Sequence, residues 1–439
     1  FGSRPFRRVG ARPMLPAMLR FFVVSAGLAA VVQARAPHSH QPANYSVDLD
    51  LPASERWRDI LDDVLSRLGT KPFLSYYTAV IDGLRKDHHA SFTFYVEHLQ
   101  EWQEAYAQHL PDALQEIYAL SDALRARAST QEEQRAFLRG HVFLVHLHMQ
   151  LDNIGKAFGG ECTSILARRP SGEVLHFRNW DFGPLPDVLG ELSAAVDFHF
   201  SQSQRQGFRC LIAFSHIDKW TTCMKPGHFS MSLNAREYGR DFEYGRPAAT
   251  ELKLMQAGHL PRVALLRKVM LAASYDEALT LAVTARMLTS MYLILAAPAS
   301  GPSEDDRGAV LTLKGNGSSA DVLPLPPRED GWFLVQTNAD HWLTMSEQHM
   351  SSRRREHAKA LLQALGQQAS LEQLYSVLQN QEVFPAGSHG KEDGRVFRDS
   401  TIASVLMRPH ARAGELSWAV DVWRPGTVSA GDGTPAAFV

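Results

Sequence analysis

The 439-residue sequence predicts an α+β fold in which a helical segment comes first and blocks of strands and helices follow, fitting two sheets sandwiched between helical layers. Three observations carry this. From about Glu55 to Leu151 apolar residues recur at helical spacing with few glycines to interrupt them. From Cys162 onward the apolar period shifts toward two. Helical and strand-like stretches then return in turn, and 45% hydrophobic residues allow a large core in one big domain or two smaller ones.

In chain order, Arg4, Arg7, Arg8, Arg12 and Arg20 precede the apolar run from Phe21 to Val32, which ends at Ala34-Arg35-Ala36. Residues 1–36 therefore read as a secretory signal peptide, with Met14 or Met18 the expected initiator. The run is shorter than the ~20 residues of a spanning helix, so a soluble, lumenal protein is expected, lysosomal or secreted. Residues 37–44 read as a polar, exposed lead-in, and Asn44-Tyr45-Ser46 and Asn316-Gly317-Ser318 are glycosylation sequons.

Leu61, Val64, Leu65 and Leu68, then Ala113, Leu114, Ile117, Leu120 and Leu124, form the core stripes of a helical unit spanning 37–161. His141 and His148 share a helix face with His146 near them, but no neighbouring carboxylate or cysteine completes a ligand set. The three read as packing residues, with no metal expected. Strands are predicted at 163–167, 174–178, 195–200, 208–214 and 228–233.

A helical passage at 261–287 contains two helices and a Ser274/Glu277 capping box. Strands return at 291–296, 309–313 and 332–336, with 298–308 as a surface loop between the first two. Helices follow at 353–365, closed by Gly366, and at 371–379, capped by Ser370 with Gln373. Residues 401–407 and 416–423 form a final hairpin, and 424–439 a loose tail.

Charge excludes a class of function. With 45 basic against 47 acidic residues and a net charge of -2, no global field draws in nucleic acid. The densest basic run, Arg353-Arg354-Arg355, reads as a solvated helix start. Of three cysteines, Cys162 stands apart as a candidate nucleophile, and Cys210 and Cys223 are either a disulfide or a free pair; both readings stay open.

Cys162 follows Gly159-Gly160-Glu161 and precedes a hairpin whose turn is Pro170-Ser171-Gly172. With Ser171 and Gly172 as a two-residue turn, Cys162 is expected opposite Asp181, with Arg178 nearby. A cation favours the nucleophilic thiolate, and a carboxylate can orient the base that removes the proton. No histidine at a Cys/His spacing supplies that base. The α-amino group of Cys162, freed by cleavage of the Glu161-Cys162 bond, would titrate near ~8 and suit the task.

The chain resembles the acid ceramidase and N-acylethanolamine acid amidase group of N-terminal-nucleophile hydrolases. The matches are Cys162-Thr163-Ser164-Ile165, Arg178-Asn179-Trp180-Asp181-Phe182-Gly183, the stretch from Lys225-Pro226-Gly227 to Asn234, Gln336-Thr337-Asn338-Ala339-Asp340-His341-Trp342, and Arg353-Arg354. Flanking matches at Tyr45 to Pro52, Glu55-Arg56-Trp57 and Tyr375 to Leu378 extend it over nearly all of the mature chain.

This resemblance implies an Ntn-hydrolase αββα sandwich: a helical α-subunit or pro-segment (37–161) and a catalytic β-subunit (162–423), joined as an α/β heterodimer after self-cleavage between Glu161 and Cys162. It implies Cys162 as nucleophile, Arg178 and Asp181 as its organisers, Asn338 in the oxyanion hole and Arg353 as a further arginine of the site. It implies no cofactor and a lipid amide substrate, with a lipid or activator protein and a membrane surface as auxiliary partners. Met224, Phe229, Trp180 and Trp342 are candidate lining for an acyl channel.

The chain departs from the family pattern at Ala235, in place of Glu, at Ala339, in place of Tyr, and at Ser351-Ser352, in place of an acidic pair. A glycine-rich strand of the family is here Ser215-His216-Ile217-Asp218-Lys219-Trp220. The expected activity is hydrolysis of ceramide to fatty acid and sphingoid base, Asp181-Phe182-Gly183 and the Lys-Pro-Gly stretch pointing that way. The alternatives are a fatty acid ethanolamide hydrolase, an amidase for bile-salt-like or penicillin-like amides, and a catalytically impaired lipid-binding homologue.

Overall fold

The computed structural model describes residues 39–148, 150–151, 162–183, 185–236, 246–299, 306–315, 317, 320–343, 350–384, 394–411 and 415–423. The expected signal peptide, C-terminal tail, Glu161 and the Asn316 sequon lie outside them. All described residues fall in one compact unit, Ala36–Val439.

The helical segment is a run of seven helices among the described residues: α1 (Arg58–Leu68), α2 (Lys71–Asp87), α3 (His89–Glu97), α4 (Leu99–His109), α5 (Pro111–Arg127), α6 (Gln131–Ala136) and α7 (Arg139–His148). Prolines open α2 and α5, where a missing N–H costs nothing, and Thr130 with Glu133 closes a capping box on α6. Leu61, Val64 and Leu65, and Ala113 to Leu124 at the predicted spacing, are buried.

Two sheets follow. The first has six strands in the order β1 (Ser39–His40), β14 (Trp418–Trp423), β13 (Thr401–Met407), β4 (Val174–Asp181), β3 (Cys162–Arg168) and β12 (Phe333–Gln336). The second has eight: β11 (Asp321–Pro324), β10 (Arg307–Leu313), β9 (Met291–Ala297), β8 (Phe229–Ala235), β7 (Thr222–Lys225), β6 (Phe208–Ala213), β5 (Ser193–His199) and β2 (Ala43–Asp48). The residues read as a polar lead-in are partly strand: Ser39 pairs with Trp423, and β2 adds to β5 in parallel, leaving Asn44 exposed. β7 and β11, only four residues each, carry too short an alternation to stand out in the sequence.

The remaining helices are α8 (Pro186–Glu191), α9 (Ala248–Gln256), α10 (Arg262–Leu271), α11 (Tyr275–Val283), α12 (Met350–Leu365) and α13 (Leu371–Ser376). The passage at 261–287 is two helices as read; at its Ser274 cap only half the box closes, because Glu277 accepts from Ala273 N–H instead. Lys225-Pro226-Gly227-His228 is a tight turn, with His228 N–H donating to Lys225 O at 3.0 Å and Gly227 at φ 74°.

Strand alternation assigns the layers. In β3 and β4, Ile165, Ala167, Leu175 and Phe177 pack with Ala358, Leu362, Leu374 and Leu378 of the C-terminal helical layer. On the opposite face, Leu166 and Val174 pack against Tyr292, Ile294 and Val310 of the second sheet. The far side of that sheet, with Met231, Leu293 and Leu295, joins the cluster holding Val64, Phe143 and Leu266. The order helix, sheet, sheet, helix is the αββα sandwich, with Cys162 at the first residue of an inner strand.

Candidate active site

The β3–β4 hairpin turns through three residues, not two. Gly172, at φ 96°, takes the left-handed position, and Arg169 N–H donates to Glu173 O at 2.8 Å. The extra residue shifts the register by one, so Cys162 lies opposite Trp180 and Ser164 opposite Arg178, correcting the expected Cys162/Asp181 pairing. Because side chains alternate, the shift decides faces. Cys162 and Arg178 share the face between the sheets; Asp181, of the opposite parity, ends β4 and still lines the cavity that holds Cys162.

Cys162 is a free thiol and 4% exposed. Its Sγ lies 3.5 Å from Nη2 of Arg178. That guanidinium also donates to the carbonyl oxygens of Thr221 and Leu233 and to the Thr222 hydroxyl, all neutral acceptors from the second sheet. None of these hydrogen-bond partners is a carboxylate.

The backbone of Cys162 is clamped from both sides. Its N–H donates to Asn338 Oδ1 at 2.8 Å, and its carbonyl accepts from Nη2 of Arg354 at 3.2 Å. Arg354 also donates to Asn338 Oδ1, and Ser351 Oγ accepts the Asn338 N–H at 2.6 Å. Asn338 Nδ2, expected at an oxyanion, donates to Ala235 O at 2.8 Å. The loop carrying Asn338 is tied down by buried pairs: Arg236 with Asp340 at 2.7 and 2.8 Å, Tyr292 with Asp340 at 2.7 Å, and Arg355 with the carbonyls of Ala339 and Asp340.

Thus Arg354, the neighbour of the expected Arg353, is seen to reach Cys162 and Asn338. Arg353 is half-buried beside Gly394. Successive helical residues point about 100° apart, so an Arg-Arg-Arg run leaves the choice to helix phase. The usable signal was Ser351, one turn before Arg354, whose hydroxyl lies 3.5 Å from that guanidinium.

Asp181 is 1% exposed; its Oδ1 accepts from Thr401 Oγ1 at 2.7 Å, and its Oδ2 has no hydrogen-bond partner among the described residues. Burial raises its pKa to about 6 against the opposing pull of Arg354, the Thr401 hydrogen bond and Arg178. His176 bridges Ser230 and Ser232 with its two ring nitrogens at 2.9 and 2.8 Å, and burial, reinforced by Arg178, pushes it down to about 3. His216, near the thiol's cavity, faces Ser215 Oγ and Tyr76 OH. Both imidazoles have both nitrogens engaged, which leaves the thiol without an imidazole base among the described residues.

Cys162, Arg178, Trp180 and Asp181 line one cavity of about 100 Å³, walled chiefly by Leu189, Leu211, Leu233, Val263 and Leu266. Of the four residues expected to line an acyl channel, Trp180 does so. Met224 and Phe229 are buried in the core between the second sheet and its helices, and Trp342 is 40% exposed. Cys210 and Cys223, directly opposed on β6 and β7, form a disulfide. His146 and His148 are buried; His141 Nδ1 donates to Arg135 O at the surface, and no cluster suited to a metal ion occurs among the described residues.

No family model matches this chain. It is 31% identical over 260 residues to the N-acylethanolamine-hydrolyzing acid amidase of Rattus norvegicus, covering 58% of this chain and 63% of that one. It is 26% identical over 352 residues to the acid ceramidase of Balaenoptera acutorostrata scammoni, covering 77% and 80%. A solved structure of the Caenorhabditis elegans N-acylethanolamine-hydrolyzing acid amidase ortholog aligns with a TM-score of 0.44 at 26% identity, covering 57% of this chain and 94% of that one. The chain thus spans under two thirds of the length of the rat relative. No helix among the described residues is long and apolar enough to cross a membrane.

Proposed function

The chain belongs to the family of acid ceramidases and N-acylethanolamine-hydrolyzing acid amidases, and from that premise we propose that it is a self-cleaving cysteine amidase acting on N-acyl lipid amides. The observation that carries this reading is the Cys162 thiol 3.5 Å from an Arg178 guanidinium whose hydrogen-bond partners are otherwise neutral, on a residue whose backbone N and O are both held.

Cleavage begins as Cys162 Sγ attacks the carbonyl carbon of Glu161. The C–N bond breaks as the C–S bond forms, the thiol proton ends on the new α-amine, and water hydrolyses the thioester to free the thiol. Asn338 Oδ1 already accepts from that nitrogen, and the unpartnered Oδ2 of Asp181 suits the α-ammonium. In turnover the α-amine takes the thiol proton, the thiolate attacks the substrate amide, and the α-ammonium returns the proton to the leaving amine. Water, deprotonated by the same amine, then releases the fatty acid.

Ceramide is the first substrate, supported by the length of the match to acid ceramidase; a fatty acid ethanolamide is the second, supported by the higher identity to the rat amidase. The predicted leader places the work in the secretory pathway, lysosomal or secreted, with the halves joined as an α/β heterodimer and a lipid surface or activator delivering substrate. The test is fatty acid release from N-acylsphingosine and from N-acylethanolamine at mildly acid pH, beside Cys162→Ala. Release from either, lost in the variant, supports the reading. A cleaved chain that releases nothing favours the impaired lipid-binding homologue.

A further inference from the structure

The cavity that holds Cys162 is also lined by a lysine whose amine makes no hydrogen bond among the described residues. Lys219 follows the helical turn Phe214–His216, and its N–H donates to His216 O at 3.0 Å. Its stem is partly exposed, but its Nζ is buried and has no hydrogen-bond partner among the described residues. Adjacent Asp218 makes no hydrogen bond to it, though its charge acts on the amine: Oδ2 accepts from Tyr106 OH at 2.8 Å, and Oδ1, 3.5 Å from His146 Nε2, has no hydrogen-bond partner among the described residues. Asp181 Oδ2, on the same cavity, also has no hydrogen-bond partner among the described residues, while three other polar groups of the wall are committed. Gln150 Oε1 accepts from Val263 N–H, Tyr76 OH faces His216, and Arg262 donates to Ser290 O.

A cavity built only for an alkyl chain gains nothing from such a group, since a buried amine without an acceptor is costly in either protonation state. Lys219 sits in the segment Ser215 to Trp220, where this chain replaces a glycine-rich strand of the family it resembles with bulky polar residues. The same substitution brings His216 into the wall. An acceptor delivered by the ligand would complete the site.

We propose that Lys219 is a specificity-determining residue that receives an anionic oxygen carried by the acyl group, so that the preferred substrates are N-acyl amides whose acyl chain bears a carboxylate. This rests on the amidase reading above. A carboxylate entering beside Lys219 forms a charge-assisted hydrogen bond in a site from which water is largely excluded.

The test is calorimetric binding of alkyl monocarboxylates and of α,ω-dicarboxylates of matching length to the full chain, compared with Lys219→Met. The wild type should bind the dicarboxylate roughly tenfold or more tightly than its monocarboxylate, and Lys219→Met should abolish or reverse that preference. Lys219→Met should also melt higher, which shows that it folds. An absent preference in the wild type, including no binding of either acid, or a preference unchanged in Lys219→Met, overturns the inference. Failure of the amidase reading shows separately, as no turnover of either amide by a chain that still distinguishes the acids.

Discussion

Asp181 gives the fold a pH dependence of definite sign. Buried at the end of β4, it titrates at about 6 in the folded chain against an ordinary value of 3.8. Between those values the folded state binds a proton that the unfolded state has released, so stability falls as pH rises through the window and levels off above it. The difference of about two units corresponds to roughly 3 kcal/mol. On the proposed mechanism Cys162→Ala stays uncleaved, and adding Asp181→Asn removes the titration while leaving an oxygen for Thr401. Denaturant unfolding of both from pH about 4 to about 7 should show the single variant losing roughly 3 kcal/mol relative to the double. A difference that stays flat, or that grows more favourable to the single variant with pH, refutes the reasoning.

Arg354→Met should slow cleavage by roughly 10- to 100-fold, the worth of a charged hydrogen bond or two at Cys162 O and Asn338, and Arg353→Met should slow it less; a time course of fragment formation decides. Arg178→Lys keeps the charge but not the fork that spans Thr221, Leu233 and the thiol, so turnover should fall at least about tenfold with folding retained by circular dichroism. Replacing Cys210 and Cys223 together with Ala opens a link of sequence separation 13 and should cost about 3 kcal/mol, read as a lowered melting temperature. An unchanged melt would mean the two strands hold without the bond.

The layers were legible because they depend on periodicity alone: Leu61 to Leu65, Ala113 to Leu124 and the alternation through 163–167 each name a buried face without knowing its partner. What failed needed geometry the sequence does not carry. The pairing of Cys162 depended on whether Pro170-Ser171-Gly172 spends two or three residues on the turn, and one residue moves its partner from Asp181 to Trp180. That Arg354 turns toward Cys162 depends on the phase of α12. Strands β1 and β2 sit before the helices in sequence yet pair with β14 and β5 far along the chain, a long-range match that local composition cannot reveal. Lys219 reads in the sequence only as a polar departure; the fold sets it in the wall of the cavity that also holds Cys162.

The central claim is that Cys162 becomes an N-terminal nucleophile by cutting its own peptide bond. Intact mass spectrometry of the chain from Pro37 onward, incubated at mildly acid pH beside Cys162→Ala, tests it most directly. The account predicts a fragment beginning at Cys162 in the wild type and none in the variant. A wild type that stays whole under those conditions, or a variant that is cut at the same bond, contradicts it.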